Sequence, residues 1–92
     1  MKYFDWDKAK NQKLISERNI SFEEVKIAVN EQNILDDYDH PNQKRYPGQR
    51  IMALEINNYV FLVPYIPEDG KIFLKTIIPS RKATKKYLGG HK

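Results

Sequence analysis

The residues with the clearest chemical purpose are cations. Between Lys71 and Lys92 the chain places seven Lys or Arg side chains and no carboxylate. Residues 1–70 hold nine basic and twelve acidic side chains, a balance of −3 within a net charge of +4. Positive charge gathered in this way attracts phosphates with strong salt dependence, and it equally suits an acidic protein partner. A solvated basic tail is the plain alternative. Against it, Ile77, Ile78, Ala83, Tyr87 and Leu88 lie among the cations and supply apolar surface to dock the segment on a core. Lys82 and Lys86 stand one helical turn apart, as do Arg81 and Lys85, which forms a ridge able to track a phosphate backbone.

A second group of reactive side chains sits in residues 39–49, eleven polar or turn-forming positions that include His40, Lys44, Arg45 and Tyr46. Loops of this length inside small domains are usually functional or disordered. Tyr38, Tyr46, Tyr65 and Tyr87 are candidates for stacking on unpaired bases, with Tyr46 favoured because its loop is expected to be exposed.

Ninety-two residues with 40% hydrophobic content fit a single domain spanning 1–92. The absence of cysteine removes disulfides and thiolate metal sites. No apolar run approaches the ~20 residues needed to span a bilayer, and Asp5 and Asp7 interrupt the opening where a signal peptide would be apolar. A cytoplasmic protein without membrane contact is expected. There is no Walker loop, nucleophile elbow, dinucleotide fingerprint or metal-ligand cluster, so no cofactor and no metal is expected.

These side chains need a scaffold. Asp7 is placed to cap a helix over Lys8 to Asn19, with Ala9, Leu14 and Ile15 inward, and Trp6 anchors the core beside it. Ser21 and Glu24 form a capping-box pattern that starts a second helix, reaching about Gln32, whose apolar positions are Phe22, Val25, Ile27, Ala28 and Val29. Strands are expected at Ile34 to Tyr38, Arg50 to Asn57, Tyr59 to Ile66 and Lys71 to Ile78. Asn57-Asn58 makes a tight hairpin and Pro67-Glu68-Asp69-Gly70 the next reversal. Tyr59 to Val63 is apolar on both faces, which suits a strand covered on both sides. Pro64 is expected to leave a bulge or an unpaired stretch. Ser80 caps a final helix, about Arg81 to Leu88, that stops at Gly89-Gly90 and lays Tyr87 on the sheet. The fold class is therefore α+β: two N-terminal helices, a mostly antiparallel four-stranded sheet and a C-terminal helix.

Phe4-Asp5-Trp6-Asp7 with Lys10-Asn11, then Ser21-Phe22-Glu23-Glu24, then Ile77-Ile78 before Arg81-Lys82-Ala83-Thr84 and Tyr87, resembles the BrnT family of toxins over nearly the whole chain. The resemblance implies a RelE-like toxin that degrades RNA without a metal. It also implies neutralisation by a ribbon-helix-helix antitoxin, with operator DNA bound only through the complex. Carried over position by position, it implies His40, Arg50 and Arg81 as the catalytic set. Glu17-Arg18 stand where the family commonly has Lys-His, Thr76 where it has Arg, and Pro79-Ser80 where it often reads Ser-Ala.

Metal-free RNA cleavage has to deprotonate a 2′-hydroxyl, stabilise a pentacoordinate phosphate and protonate the leaving 5′-oxygen. Arg50 and Arg81 suit the phosphate, because a guanidinium offers paired planar donors and a permanent charge. His40 suits proton transfer as base or acid. Lys44, Arg45, Tyr46, Lys75, Lys82, Lys85 and Lys86 are the expected RNA contacts. Plain structural roles compete with each of these: Arg50 can balance Asp36, Asp37 or Asp39, and His40 can be an ordinary loop residue. The competing function is a non-catalytic module that binds nucleic acid or protein through the same basic helix.

Overall fold

The aromatic opening is a strand. In a computed structural model, which describes residues 3–89, Tyr3–Trp6 forms β1 and lies parallel to a strand from the far end of the chain, with Trp6 opposite Leu74. The elements that follow are α1 (Lys8–Arg18), α2 (Phe22–Asn30), β2 (Ile34–Asp39), β3 (Arg50–Ile56), β4 (Tyr59–Glu68), β5 (Lys71–Leu74), β6 (Ile78–Pro79) and α3 (Arg81–Thr84). The last helix passes directly into a π-helical stretch, Lys85–Gly89. Sheet order is β1-β5-β4-β3-β2, with β6 also paired to β4. All pairs except β1 with β5 are antiparallel.

The α+β class and the three helices agree with expectation, but the sheet has six strands rather than four. β1 lacks a local signal, since its partner lies nearly seventy residues away. The last expected strand is two. β5 stops at Leu74, and the chain rejoins β4 at Ile78 and Pro79. Pro64 lies at that break. Against β3 it is in regular register, opposite Ile51. On the other edge its carbonyl accepts from Lys75 N–H at 2.9 Å, but it has no N–H to return. Between the paired positions on that edge, β4 advances from Leu62 to Tyr65 while the partner runs from Leu74 to Ile78, one residue more. The expected bulge therefore exists, confined to one edge.

The helix starts follow their caps. Asp7 Oδ1 accepts from Ala9 N–H at 2.8 Å and from Lys10 N–H, and Ser21 with Glu24 forms the complete capping box. Asn57 and Asn58 both take positive φ, as a tight hairpin demands. The inward face of α1 differs from expectation: Asn11 and Leu14 are buried, whereas Ala9 and Ile15 are exposed. Leu14 is three residues from Asn11 on one helix face, and Ile15 turns out of it. Ile27 of α2 is likewise outward, at 54% exposure.

The core lies on both sides of the sheet. On one face Leu14, Ile20, Phe22, Val25 and Ala28 pack on Met52, Leu54, Val63, Tyr65, Leu74 and Ile77, with the Trp6 ring stacked on Phe22 at 5.6 Å. Full burial of a side chain such as Phe22 contributes about 1.5–3 kcal/mol. On the other face Ala83, Tyr87 and Leu88 cover Ala53, Val60, Leu35 and Leu62. Tyr87 thus lies on the sheet as expected. The helix stop expected at Gly89-Gly90 lies partly outside the described residues, as do His91 and Lys92.

Asn11 joins the two N-terminal helices. Its Oδ1 accepts from Phe22 N–H at 2.7 Å, and its Nδ2 donates to Glu23 Oε1 at 2.9 Å. Because Phe22 N–H lies in the first turn of α2, it has no acceptor within the helix. Asn11→Ala leaves that donor buried and unpaired, and is expected to lower stability by about 1–3 kcal/mol in urea denaturation. Glu23→Gln, which keeps an acceptor for Nδ2, should cost much less.

Candidate functional site

The fold sorts the expected site residues onto opposite faces of the sheet. Arg50 begins β3, and strand alternation sends its side chain to the α1/α2 face with Met52 and Leu54. There Arg50 Nη1 donates to Asp39, while Nε donates to Asp37 Oδ1 and to the Tyr65 hydroxyl, each at 3.3 Å. Tyr65 in turn donates to Asp37 Oδ1 at 2.7 Å. Burial, aided by that bond, pushes the Tyr65 phenol up to about 12. The guanidinium is held protonated first by the Tyr65 hydroxyl and then by the charges of Asp37 and Asp39. Two carboxylates against one cation make this corner net negative. A phosphate reaching Arg50 has to displace one of them, and Asp39, 76% exposed, is the more accessible.

His40 follows β2 at the same corner, and its N–H donates to Gln49 O at 3.0 Å. The loop it opens is closed by its own hydrogen bonds. Gln43 Nε2 reaches the carbonyls of His40 and Gln49, and Gln43 Oε1 accepts from Gly48 N–H. Gly48 takes φ +76°, which favours glycine. His40 Nδ1 accepts from Asn42 N–H at 3.0 Å, so the neutral imidazole carries its proton on Nε2. In that state Nε2 donates. The ring rests against Tyr46, centroids 4.5 Å apart, and the Arg45 guanidinium sits 5.6 Å from the centroid of the same ring. Tyr46 is therefore half-buried under its neighbours, and Lys44 is exposed beside it.

Arg81 stands across the sheet, at the start of α3. Ser80 caps that helix, its Oγ accepting from Ala83 N–H at 3.0 Å. Thr84 Oγ1 donates to Ser80 O and accepts from Val60 N–H, which ties the helix to β4 while back-bonding one turn. Such back-bonding often bends helices, and a π-helical turn begins at the next residue. Arg81, Lys82, Lys85 and Lys86 are all exposed, and none is in a salt bridge among the described residues. Lys75 lies in the β5–β6 break with its Nζ 5.6 Å from the Phe73 ring centroid. No hydrogen bond, ion pair or ring contact links any two of His40, Arg50 and Arg81 in the described residues. Nor is any group of three or more His, Cys, Asp and Glu placed there to hold a metal ion.

Beside α3 lies a cleft of about 180 Å³ lined by Tyr38, Leu62, Ser80, Lys82, Lys86 and Tyr87. The Tyr87 hydroxyl donates to Asp36 Oδ2 at 2.6 Å, which with burial pushes the phenol up to about 12. That bond, followed by one from Asp37 N–H, holds the Asp36 carboxyl below its ordinary value. The sequence expectation has Asp36 and Asp37 only as candidate counter-charges of Arg50, and Tyr65 only as a stacking candidate. The signal for them is alternation along Asp36-Asp37-Tyr38-Asp39, which gives two residues to each face. Its phase is set by a register shift between Ile34 and Asp36.

Residues 6–86 match the profile of a family described as the ribonuclease toxin, BrnT, of type II toxin-antitoxin systems. The chain belongs to the BrnT family. Comparison with curated proteins and with solved structures finds no match. A BrnT toxin is one half of a pair, and membership implies an antitoxin partner. In this BrnT chain, Arg18, at a position where the resemblance leads one to expect a histidine, donates from Nη1 to Ile77 O at 2.7 Å and pins the segment between β5 and β6. None of its described helices is long and apolar enough to cross a membrane.

The Tyr87–Asp36 bond makes the seating of α3 sensitive to acid. A carboxylate whose folded pKa is lowered contributes stability above its unfolded value, and loses it as pH falls through the folded one. Hydrogen-exchange protection of residues 81–88 is therefore expected to fall faster than that of β3 as pH is lowered from about 6 to about 3. Tyr87→Phe should remove the difference.

Proposed function

We propose that this toxin is a metal-independent endoribonuclease that cuts RNA in the cytoplasm and so halts translation and growth until its antitoxin covers α3. The observation that carries the reading is the set of four exposed cations, Arg81, Lys82, Lys85 and Lys86, none in a salt bridge among the described residues, on a helix fixed to the sheet. Charges held in place by a scaffold, and not neutralised by it, are available to a polyanion.

On this reading the strand follows α3, with Lys75 and the Lys44-Arg45 loop as outer contacts. Tyr38 lines the α3 cleft, and His40 lies two residues further along, roughly 7 Å at strand rise. RNA that leaves α3 past Tyr38 runs toward the loop that His40 opens. Arg81 stabilises the charge that grows on the phosphate, and His40 transfers a proton there as base or acid. Arg50, on the other face of the sheet, is open to a phosphate only in place of Asp39. The proposed antitoxin is of ribbon-helix-helix type, acidic where it covers α3, and operator DNA is bound through that partner. The proposed scaffold relationship is to the RelE-like toxins.

The test is induced expression with growth followed and RNA 5′ ends mapped, together with cleavage by purified toxin in EDTA. New 5′ ends, cleavage that survives EDTA, and an Arg81→Ala variant slowed about 100-fold are expected. Salt-sensitive RNA binding without new ends would instead identify a binding module. If the four cations each neutralise a phosphate, the logarithm of affinity for a non-cleavable strand falls against the logarithm of salt with a slope of roughly −3. Lys82→Ala should lower that slope by about 0.7.

A further inference from the structure

We propose that the cleft between β2 and α3 is a nucleobase subsite, in which one unpaired base stacks on Tyr38 while its neighbouring phosphate rests on Lys82 and Lys86. The proposal takes from the ribonuclease reading only that the bound strand is RNA. Its grounds are the cleft's own composition. Leu62 and Ala83 give an apolar floor, Tyr38 and Tyr87 stand at the walls, and the two ammonium groups belong to the same lining. A flat heterocycle with an anionic neighbour matches that combination, since stacking takes a ring face and the phosphate takes the cations.

The two walls differ in freedom. Tyr87 is fixed, its hydroxyl on Asp36 and the Lys86 Nζ 5.2 Å from its ring centroid. Tyr38 is 36% exposed, and its hydroxyl has no hydrogen-bond partner among the described residues. Its phenol is pushed up by burial and by the charge of Asp36. The other tyrosines considered for stacking are engaged: Tyr46 is covered by His40 and Arg45, and Tyr65 is 5% exposed and donates to Asp37. An acidic protein segment could use the same two lysines, but would leave the Tyr38 ring without a role.

The full chain, freed of antitoxin, is tested with a single-stranded oligoribonucleotide blocked by 2′-O-methyl groups, its cleavable twin, and a blocked strand lacking all bases. Fluorescence anisotropy reads binding. Tyr38→Ala should weaken binding of the blocked strand about 10-fold. On the cleavable strand it should raise KM by a similar factor, with kcat within about twofold. Tyr38→Phe, which keeps the ring, should stay within about twofold of wild type on both strands. The base-free strand should bind wild type and Tyr38→Ala alike. Tyr38→Ile, a strand-favouring residue without a ring, should behave as Tyr38→Ala and separates stacking from loss of fold. Equal binding of the blocked strand by wild type and Tyr38→Ile, or an equal loss on the base-free strand, overturns the subsite. Cleavage with no dependence on the Tyr38 ring removes the subsite alone. Ring-dependent binding by a wild-type chain that cuts nothing upholds the subsite and removes the ribonuclease reading.

Discussion

β4 is apolar on both of its faces, and a strand of that kind in mid-sheet has to be covered twice. Val63 and Tyr65 face the α1/α2 layer, while Val60 and Leu62 face α3. The first cover is broad, because two capped helices and the stacked pair Trp6 and Phe22 fill it. The second is one short helix whose buried contribution is Ala83, with Tyr87 and Leu88 half-covered. Apolar area of that extent positions a helix weakly. Directed bonds supply the rest, from Ser80 N–H to Val60 O, from Val60 N–H to Thr84 Oγ1, and from the Tyr87 hydroxyl to Asp36. At about 1 kcal/mol for each of the two bonds to Val60, with the Tyr87–Asp36 tie beside them, they rival the packing beneath them.

The same polar bonds account for where the cations point. Ala83, Thr84 and Tyr87 are spent on the sheet, so Arg81, Lys82, Lys85 and Lys86 are left outside. β2 divides its acids between the two faces. Asp37 and Asp39 answer Arg50, whereas Asp36 is engaged by Tyr87 and forms no salt bridge with the ridge. The positive field of α3 therefore survives close to an acidic edge strand, while the charge of Arg50 is already outweighed by Asp37 and Asp39. Electrostatics, more than the identity of the basic residues, separates the two expected phosphate sites.

Much of this architecture is written locally. Asp7, Ser21 and Ser80 cap where they stand, Asn57-Asn58 turns the hairpin, and the two-faced apolar run of β4 announces a second cover. What escapes is set by distant partners. β1 is a strand because Lys71 to Leu74 lies beside it, and no four-residue window shows that. Pro64 signals irregularity, but which edge bears it depends on where β5 ends. For the site, the basic ridge is legible as a ridge, whereas the ties of Arg50 are legible only as alternatives. Choosing among Asp36, Asp37 and Asp39 requires the register shift at Leu35, since a slip of one residue exchanges the faces of a strand. Tyr46 departs from expectation for a related reason. An exposed loop is expected to expose its tyrosine, but Gln43 folds the loop onto itself and His40 covers the ring.

Placing the proposed RNA-binding surface on the thinner cover has a thermodynamic consequence. A ligand that binds only the folded arrangement adds its binding free energy to the stability of that arrangement. The α1/α2 layer, closed by Asn11 and by packing, has less need of such help than α3. A partner that neutralises the ridge also relieves the repulsion among four like charges on fewer than two turns. The state in which the toxin's cations are open is accordingly the state in which their helix is least supported, and an antitoxin seated there would inhibit and stabilise through the same contacts. Inhibition and stabilisation would then be inseparable for any partner bound on α3, and separable for one bound against the α1/α2 layer.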